Sequence, residues 1–156
     1  MKEVCEDFVD YAPKVFSFIR SCFQIDNTQY LKSIGLESLV GNLLMGNLAT
    51  LTEQTSEGKS GSFIYYTEDS RLIVKSISYE ESRKLREILP NYVQYIRDNP
   101  QTFLPHIYGL YKLKNKLSNR QIYFIVINNV FATELKIHER YDIKGSTHNR
   151  QAKLSD

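Results

Sequence analysis

Two short apolar runs, Phe63–Tyr66 and Leu72–Ile77, flank the polar turn Thr67-Glu68-Asp69-Ser70. Runs so close together satisfy their backbone N–H and C=O groups most simply by pairing as a β-hairpin. Directly ahead of the first run stands Gly58-Lys59-Ser60-Gly61-Ser62, with its glycines three residues apart. Glycine lets backbone approach a phosphate closely, and exposed N–H groups there donate to its oxygens. Lys75 lies in the second run, between Val74 and Ser76, where its ammonium can reach the same phosphates. The plainer alternative is a flexible hairpin entry with one snorkelling lysine, and spacing alone does not separate the two. A Walker loop does not fit, because G-x-x-x-x-G-K-[ST] needs Gly where Glu53 stands.

The rest of the chain supplies elements to pack on this hairpin. Residues 3–23 read as helical in two pieces, with Pro13 in the first turn of a helix beginning near Ala12. Val15, Phe16, Ile19, Cys22 and Phe23 make one apolar stripe at helical spacing. Asp26 and Thr28 can cap a short helix closed by Gly35. Residues 36–51 carry two Gly-Asn-Leu echoes, and their glycines weaken any helix; residues 52–60 read as a loop. Ser78 and Glu81 form a capping box for a helix bearing Leu85, Leu89, Val93 and Ile96, which Pro90 should kink or split. Asn99-Pro100 ends it. His106–Leu113 and Gln121–Ile127 read as a second hairpin around Asn115–Asn119, and Lys136–Tyr141 as a last strand. The expected fold is α+β: an antiparallel β-sheet built of hairpins with helices packed on one side.

The chain has 156 residues, room for one domain with a sizeable core. Its formal charge of +2 and core-spaced aromatics give nucleic-acid binding little support. Lys112, Lys114, Lys116 and Arg120 form a local basic cluster, read as a solvated hairpin tip or as a contact to an acidic membrane surface. Cys5 and Cys22 form no C-x-x-C pair and read as reduced thiols, pointing to a cytoplasmic location. No run approaches transmembrane length and no lipidation motif is visible, so membrane contact is expected to be peripheral.

Several stretches together resemble the N-terminal lobe of a phosphatidylinositol phosphate kinase catalytic domain, the 4-phosphate 5-kinase and 5-phosphate 4-kinase type. They are Asp10–Phe16, Phe23–Asp26 with Tyr30, Gly58–Phe63, Ile73-Val74-Lys75, Ile88–Tyr92, Tyr108–Tyr111, Asn129-Val130-Phe131 and Tyr141–Thr147, in the family's order over nearly the whole chain. The resemblance implies a phosphotransferase that uses ATP, with Mg2+, on the inositol ring of a monophosphorylated phosphoinositide at a membrane surface. It implies that Gly58, Lys59, Ser60, Gly61 and Ser62 cover the ATP phosphates and that Lys75 holds them. Asn129 and Val130 would contact adenine, and Asp142 and Lys144 would lie beside the nucleotide, Lys144 near the transferring phosphate. By kinase analogy Glu80 or Glu81 could pair with Lys75, although the capping box competes for Glu81. No metal ligand is assigned; the metal carboxylates are expected in a C-terminal lobe that this chain lacks.

The family's catalytic-loop motif M-D-Y-S-L and its later metal-holding I-D motif are absent from these residues. A second reading is therefore a non-catalytic lobe serving membrane docking or dimerisation, since some family members dimerise through this region. The intact glycine stretch, Lys75 and Asp142-Ile143-Lys144-Gly145-Ser146 favour the kinase reading. The 156-residue chain by itself is expected to be inactive. Radiolabelled ATP on phosphoinositide vesicles should show no transfer above a Lys75→Ala control; reproducible transfer would refute the need for a second lobe.

Overall fold

A computed structural model of the chain describes residues 5–35, 63–115 and 121–141. Five strands, β1 (Cys5–Asp10), β2 (Ile64–Tyr66), β3 (Leu72–Ile77), β4 (Ile107–Asn115) and β5 (Gln121–Asn128), form one sheet in the order β1-β4-β5-β3-β2. Every neighbouring pair is antiparallel. Among the described residues three helices accompany it: α1 (Pro13–Cys22), α2 (Asn27–Ile34) and α3 (Tyr79–Asp98). The α+β class and the hairpin-built antiparallel sheet are those the sequence indicates.

Strand alternation assigns the two sheet faces. Val74 pairs with Val126, and Tyr111 with Phe124, which in turn faces Ser76. These share one face, and Tyr30 of α2 reaches it through its hydroxyl, 3.0 Å from that of Tyr111. Lys75, Ile125 and Leu110 share the other face with Tyr123 and Lys112. There Tyr79 of α3 packs on the Tyr123 ring, with centroids 5.7 Å apart. Tyr79, the first residue of α3, thus contacts the face opposite to that of Tyr30.

The helix ends follow their sequence signals. Ala12 turns left-handed at φ 48° and Pro13 opens α1. Asp26 accepts from the N–H groups of Thr28 and Gln29, both at 2.9 Å, and Gly35 closes α2 at φ 55°. Ser78 and Glu81 complete the capping box of α3. Pro90 does not split α3, which runs unbroken for 20 residues. Leu85, Leu89 and Ile96 stay buried on one stripe across the proline, and that burial outweighs the one lost helical hydrogen bond.

Two expectations are corrected. Residues 5–10 are not helical: they form edge strand β1, because Phe8 and Asp10 alternate with Asp7 and Val9 and the segment pairs with β4. Six residues are too few to sustain an amphipathic helix, whereas a ladder satisfies them at once. Lys136–Tyr141 is not a strand: it is almost wholly exposed, with only Ile137 partly covered. Among the described residues this charged segment pairs with no strand of the sheet. Arg140 instead lies 4.7 Å over the Phe131 ring. The readings of residues 36–51 and 52–60 and of the tip around Lys116 and Arg120 lie outside the described residues.

The stripe of α1 is core, as its spacing suggests. Phe16 and Ile19 are 0% exposed, with Val15 and Phe23 packed against them. Arg20 on the same helix is buried, donating from Nε to Asn27 Oδ1 at 2.7 Å and from Nη1 to Tyr108 O at 2.6 Å. Its guanidinium also lies 4.3 Å from the Tyr30 ring centroid, so one side chain joins α1, α2 and β4. Truncating a fully buried Phe leaves a cavity. Phe16→Ala should destabilise the chain by about 3–5 kcal/mol in urea unfolding; an unchanged midpoint would show that the stripe is not structural.

Candidate nucleotide site

Lys75 sits mid-strand on β3, opposite Ile64 of β2 and Ile125 of β5. Its side chain is half-buried on the face away from Val74, and it makes no ion pair or hydrogen bond with the described residues. An ammonium among isoleucines is costly without an anionic partner or water. Glu81 does not supply one: its carboxylate accepts from Ser78 N–H at 2.6 Å as the capping box requires. Glu80 is exposed and makes no contact with Lys75. The kinase-type ion pair considered from the sequence is therefore unmade here.

The glycine stretch Gly58–Ser62 lies outside the described residues, as do Asp142 and Lys144, but the exit of that stretch is described. Phe63 N–H donates to Ser76 Oγ at 2.9 Å, while Ser76 N–H donates to Phe63 O at 3.1 Å. Ser76, which the sequence reading did not single out, thus pins the first residue after the glycines, one position along β3 from Lys75. A hydroxyl in a strand beside a charged residue carries no distinctive signal in sequence.

At the other end of β3 the chain leaves β5 through Asn128, Asn129 and Val130. Asn128 Oδ1 accepts from His106 N–H at 2.9 Å, fixing the start of β4. Asn129 donates from its backbone N–H to Arg71 O at 2.9 Å and from Nδ2 to Ser70 O at 2.7 Å, while its Oδ1 accepts from Phe131 N–H at 3.0 Å. Both side-chain atoms are thereby engaged within the chain. Val130, next along, is 67% exposed. Asn129 and Val130 therefore hold different positions: the first ties the segment down, and the second is presented outward.

The β2–β3 turn that Asn129 grips is held from the far side by α2. Ser33 Oγ donates to Asp69 Oδ2 at 2.6 Å, and Thr67 Oγ1 and Arg71 N–H donate to Asp69 Oδ1 at 2.5 and 3.1 Å. Burial would raise the Asp69 carboxyl, but the hydrogen bonds from Ser33, Thr67 and Arg71 N–H, together with the Arg71 charge, hold it below the usual carboxylate value. An Asp two residues after a Thr is a turn signal, but the sequence gives no hint that α2 joins it. Clefts of about 200 and 510 Å³ open between α2 and this turn, and neither is lined by Lys75. They lie by Tyr30, Leu72 and Tyr65, on the opposite sheet face. The candidate phosphate lysine thus stands on the sheet face that meets Tyr79 of α3, away from both clefts. Of the basic cluster, Lys112 is paired with Asp7 at 2.6 Å, a hydrogen bond that raises its pKa.

A family model described as phosphatidylinositol-4-phosphate 5-kinase matches residues 45–156. The chain belongs to this family. It is 42% identical over 143 residues to a phosphatidylinositol 4-phosphate 5-kinase of Plasmodium falciparum, covering 89% of this chain and 8% of that protein. Identity is 39% over 149 residues to a probable phosphatidylinositol phosphate kinase of Dictyostelium discoideum, 96% of this chain and 20% of that protein. Against human phosphatidylinositol 4-phosphate 5-kinase type-1 alpha it is 35% over 145 residues, 93% of this chain and 23% of the relative. The chain spans less than a quarter of the length of these three relatives.

The Asp69 turn gives a pH test. A carboxyl whose folded pKa is depressed contributes stability above its unfolded value and loses it as pH falls through the folded value. The stability gap between the native chain and Asp69→Asn should therefore be present at neutral pH and shrink below about pH 4. The gap will be small because Asp69 is exposed. Urea unfolding of both proteins at the two pH values checks this; a gap that widens in acid contradicts it.

Proposed function

We propose that this chain is the ATP-binding N-terminal part of the catalytic domain of a phosphatidylinositol phosphate kinase. The parent enzyme transfers the γ-phosphate of ATP to an inositol-ring hydroxyl of a monophosphorylated phosphoinositide. The names of the relatives favour phosphatidylinositol 4-phosphate as the substrate and the 4,5-bisphosphate as the product. In that transfer a bond forms from the ring oxygen to the γ-phosphorus, the bond to the β–γ bridging oxygen breaks, and the ring hydroxyl gives up its proton.

The observation that carries this reading is Lys75: a half-buried cation, unpartnered among the described residues, between Ile64 and Ile125 and beside the anchored exit of the glycine stretch. ATP phosphates supply the anion it lacks. Gly58, Lys59, Ser60, Gly61 and Ser62 cover those phosphates with backbone N–H groups, and Val130 meets the adenine. Asp142 and Lys144 complete the nucleotide surroundings, Lys144 toward the transferring phosphate. Mg2+ bound with ATP neutralises charge on the phosphates. Among the described residues no group of three or more His, Cys, Asp or Glu is placed to hold a metal. No helix among the described residues is long and apolar enough to cross a membrane. In this reading the enzyme meets its lipid at a membrane surface.

Lys59 and Lys75 are distinguishable by substitution. In the full-length enzyme, with folding verified, Lys75→Met should lower turnover about 10²-fold or more, as loss of a charge that stabilises the transferring phosphate does. Lys59→Met should lose far less, because its position is served by backbone. Equal losses, or the reverse order, would move the phosphate contact away from Lys75.

A further inference from the structure

Val130 lies 67% exposed just beyond β5, with a set of hydrogen bonds around it. Three of these ties come from side chains standing in for backbone groups. Asn129 Nδ2 donates to Ser70 O at 2.7 Å, Asn129 Oδ1 accepts from Phe131 N–H at 3.0 Å, and Asn128 Oδ1 accepts from His106 N–H at 2.9 Å. Asn129 N–H adds a second bond to the same turn at Arg71 O, 2.9 Å away. The turn cannot drift from the sheet, because Ser33 of α2 holds Asp69 at 2.6 Å and Leu72 N–H donates to Thr67 Oγ1 at 3.1 Å. Val130 therefore follows a residue fixed at four atoms, counting the Asn129 carbonyl that accepts from Ala132 N–H at 3.1 Å.

Building on the nucleotide reading, we propose that Asn129 is a positioning residue for adenine: its amide does not touch the base but clamps the strand exit to the β2–β3 turn, so that Val130 and its backbone are presented to the base at a fixed place. The clamp acts on the base end of the nucleotide alone. Lys75 and the exit of the glycine stretch are fixed by other strands and by Ser76. Loss of the clamp should then weaken recognition of adenine without weakening recognition of phosphate. A ligand contact, by contrast, would tolerate no loss of the side chain yet leave the Phe131 amide unmoved.

Asn129→Asp isolates the clamp. It keeps an oxygen acceptor for Phe131 N–H but replaces the donor facing Ser70 O with an oxygen, which repels that carbonyl. Asn129→Ala removes both bonds without repulsion. In the full-length enzyme, binding of ATP and of inorganic triphosphate is measured by calorimetry, and exchange of the Ser70, Arg71 and Phe131 amides by hydrogen–deuterium mass spectrometry. The expected result is about tenfold weaker ATP binding in both variants, with triphosphate binding changed by less than about twofold, the scale of one or two lost hydrogen bonds. Exchange at Phe131 should rise in Asn129→Ala and less in Asn129→Asp. Unchanged ATP binding overturns the proposal, as does an equal loss for both ligands or unfolding of both variants. A wild-type enzyme that binds ATP no better than triphosphate overturns the nucleotide reading itself, and this proposal with it.

Discussion

The antiparallel ladder between β3 and β5 is the constraint on which the rest depends. It sets Val74 against Val126 and Lys75 against Ile125 in one register. A strand's side chains alternate with a period of two, so a slip by one residue would bury Lys75 beneath Tyr30 and α2 and put Val74 on the opposite face. Such a slip is strongly resisted because Val74, Phe124 and Val126 are each 0% exposed. The core thereby fixes where the cation stands, although the cation contributes nothing to the core. The same ladder ends at Leu72 opposite Asn128, which brings the β2–β3 turn and the exit from β5 side by side.

Around that ladder the chain repeatedly uses short polar side chains where backbone pairing runs out. Ser76 takes the Phe63 N–H, Thr67 the Leu72 N–H, Asn128 the His106 N–H and Asn129 the Phe131 N–H. Each group would otherwise be an unmade hydrogen bond at a strand end, costly if shielded from water. The consequence is rigidity at both ends of β3, and those ends are where the functional reading places phosphate and base. Few apolar contacts are available there: Val130, Phe131 and Leu135 are all exposed. Polar clamps can order such a segment without burying it.

Much of this was legible in the residues. Amphipathic spacing gave α1 and its buried Phe16 and Ile19; Asp26 with Gly35 and Ser78 with Glu81 gave the ends of α2 and the start of α3. These are local signals, each read within one or two turns of chain. Residues 5–10 misled because a short segment with Phe8 and Val9 separated by one step supports either period, and only the partner strand β4 decides. Lys136–Tyr141 misled for a related reason: strand-like composition makes a strand only where a partner is found, and among the described residues this segment pairs with none. Pro90 does not split α3 because propensity weighs one residue while burial weighs the whole stripe.

The candidate site divides along the same line. Sequence by itself determined which residue types were present: a glycine pair, a lysine between Val74 and Ser76, an Asn-Val step after a strand, and the family to which their order belongs. Tertiary structure alone decided what each does locally. It spent Glu81 on a cap rather than on Lys75, spent both ends of the Asn129 amide on the backbone, paired Lys112 with Asp7, and brought Ser33 to Asp69 across 36 residues. The physical reason is that a hydrogen bond or ion pair depends on distance in space, and separation along the chain does not encode that distance until the sheet register and the helix placements are set.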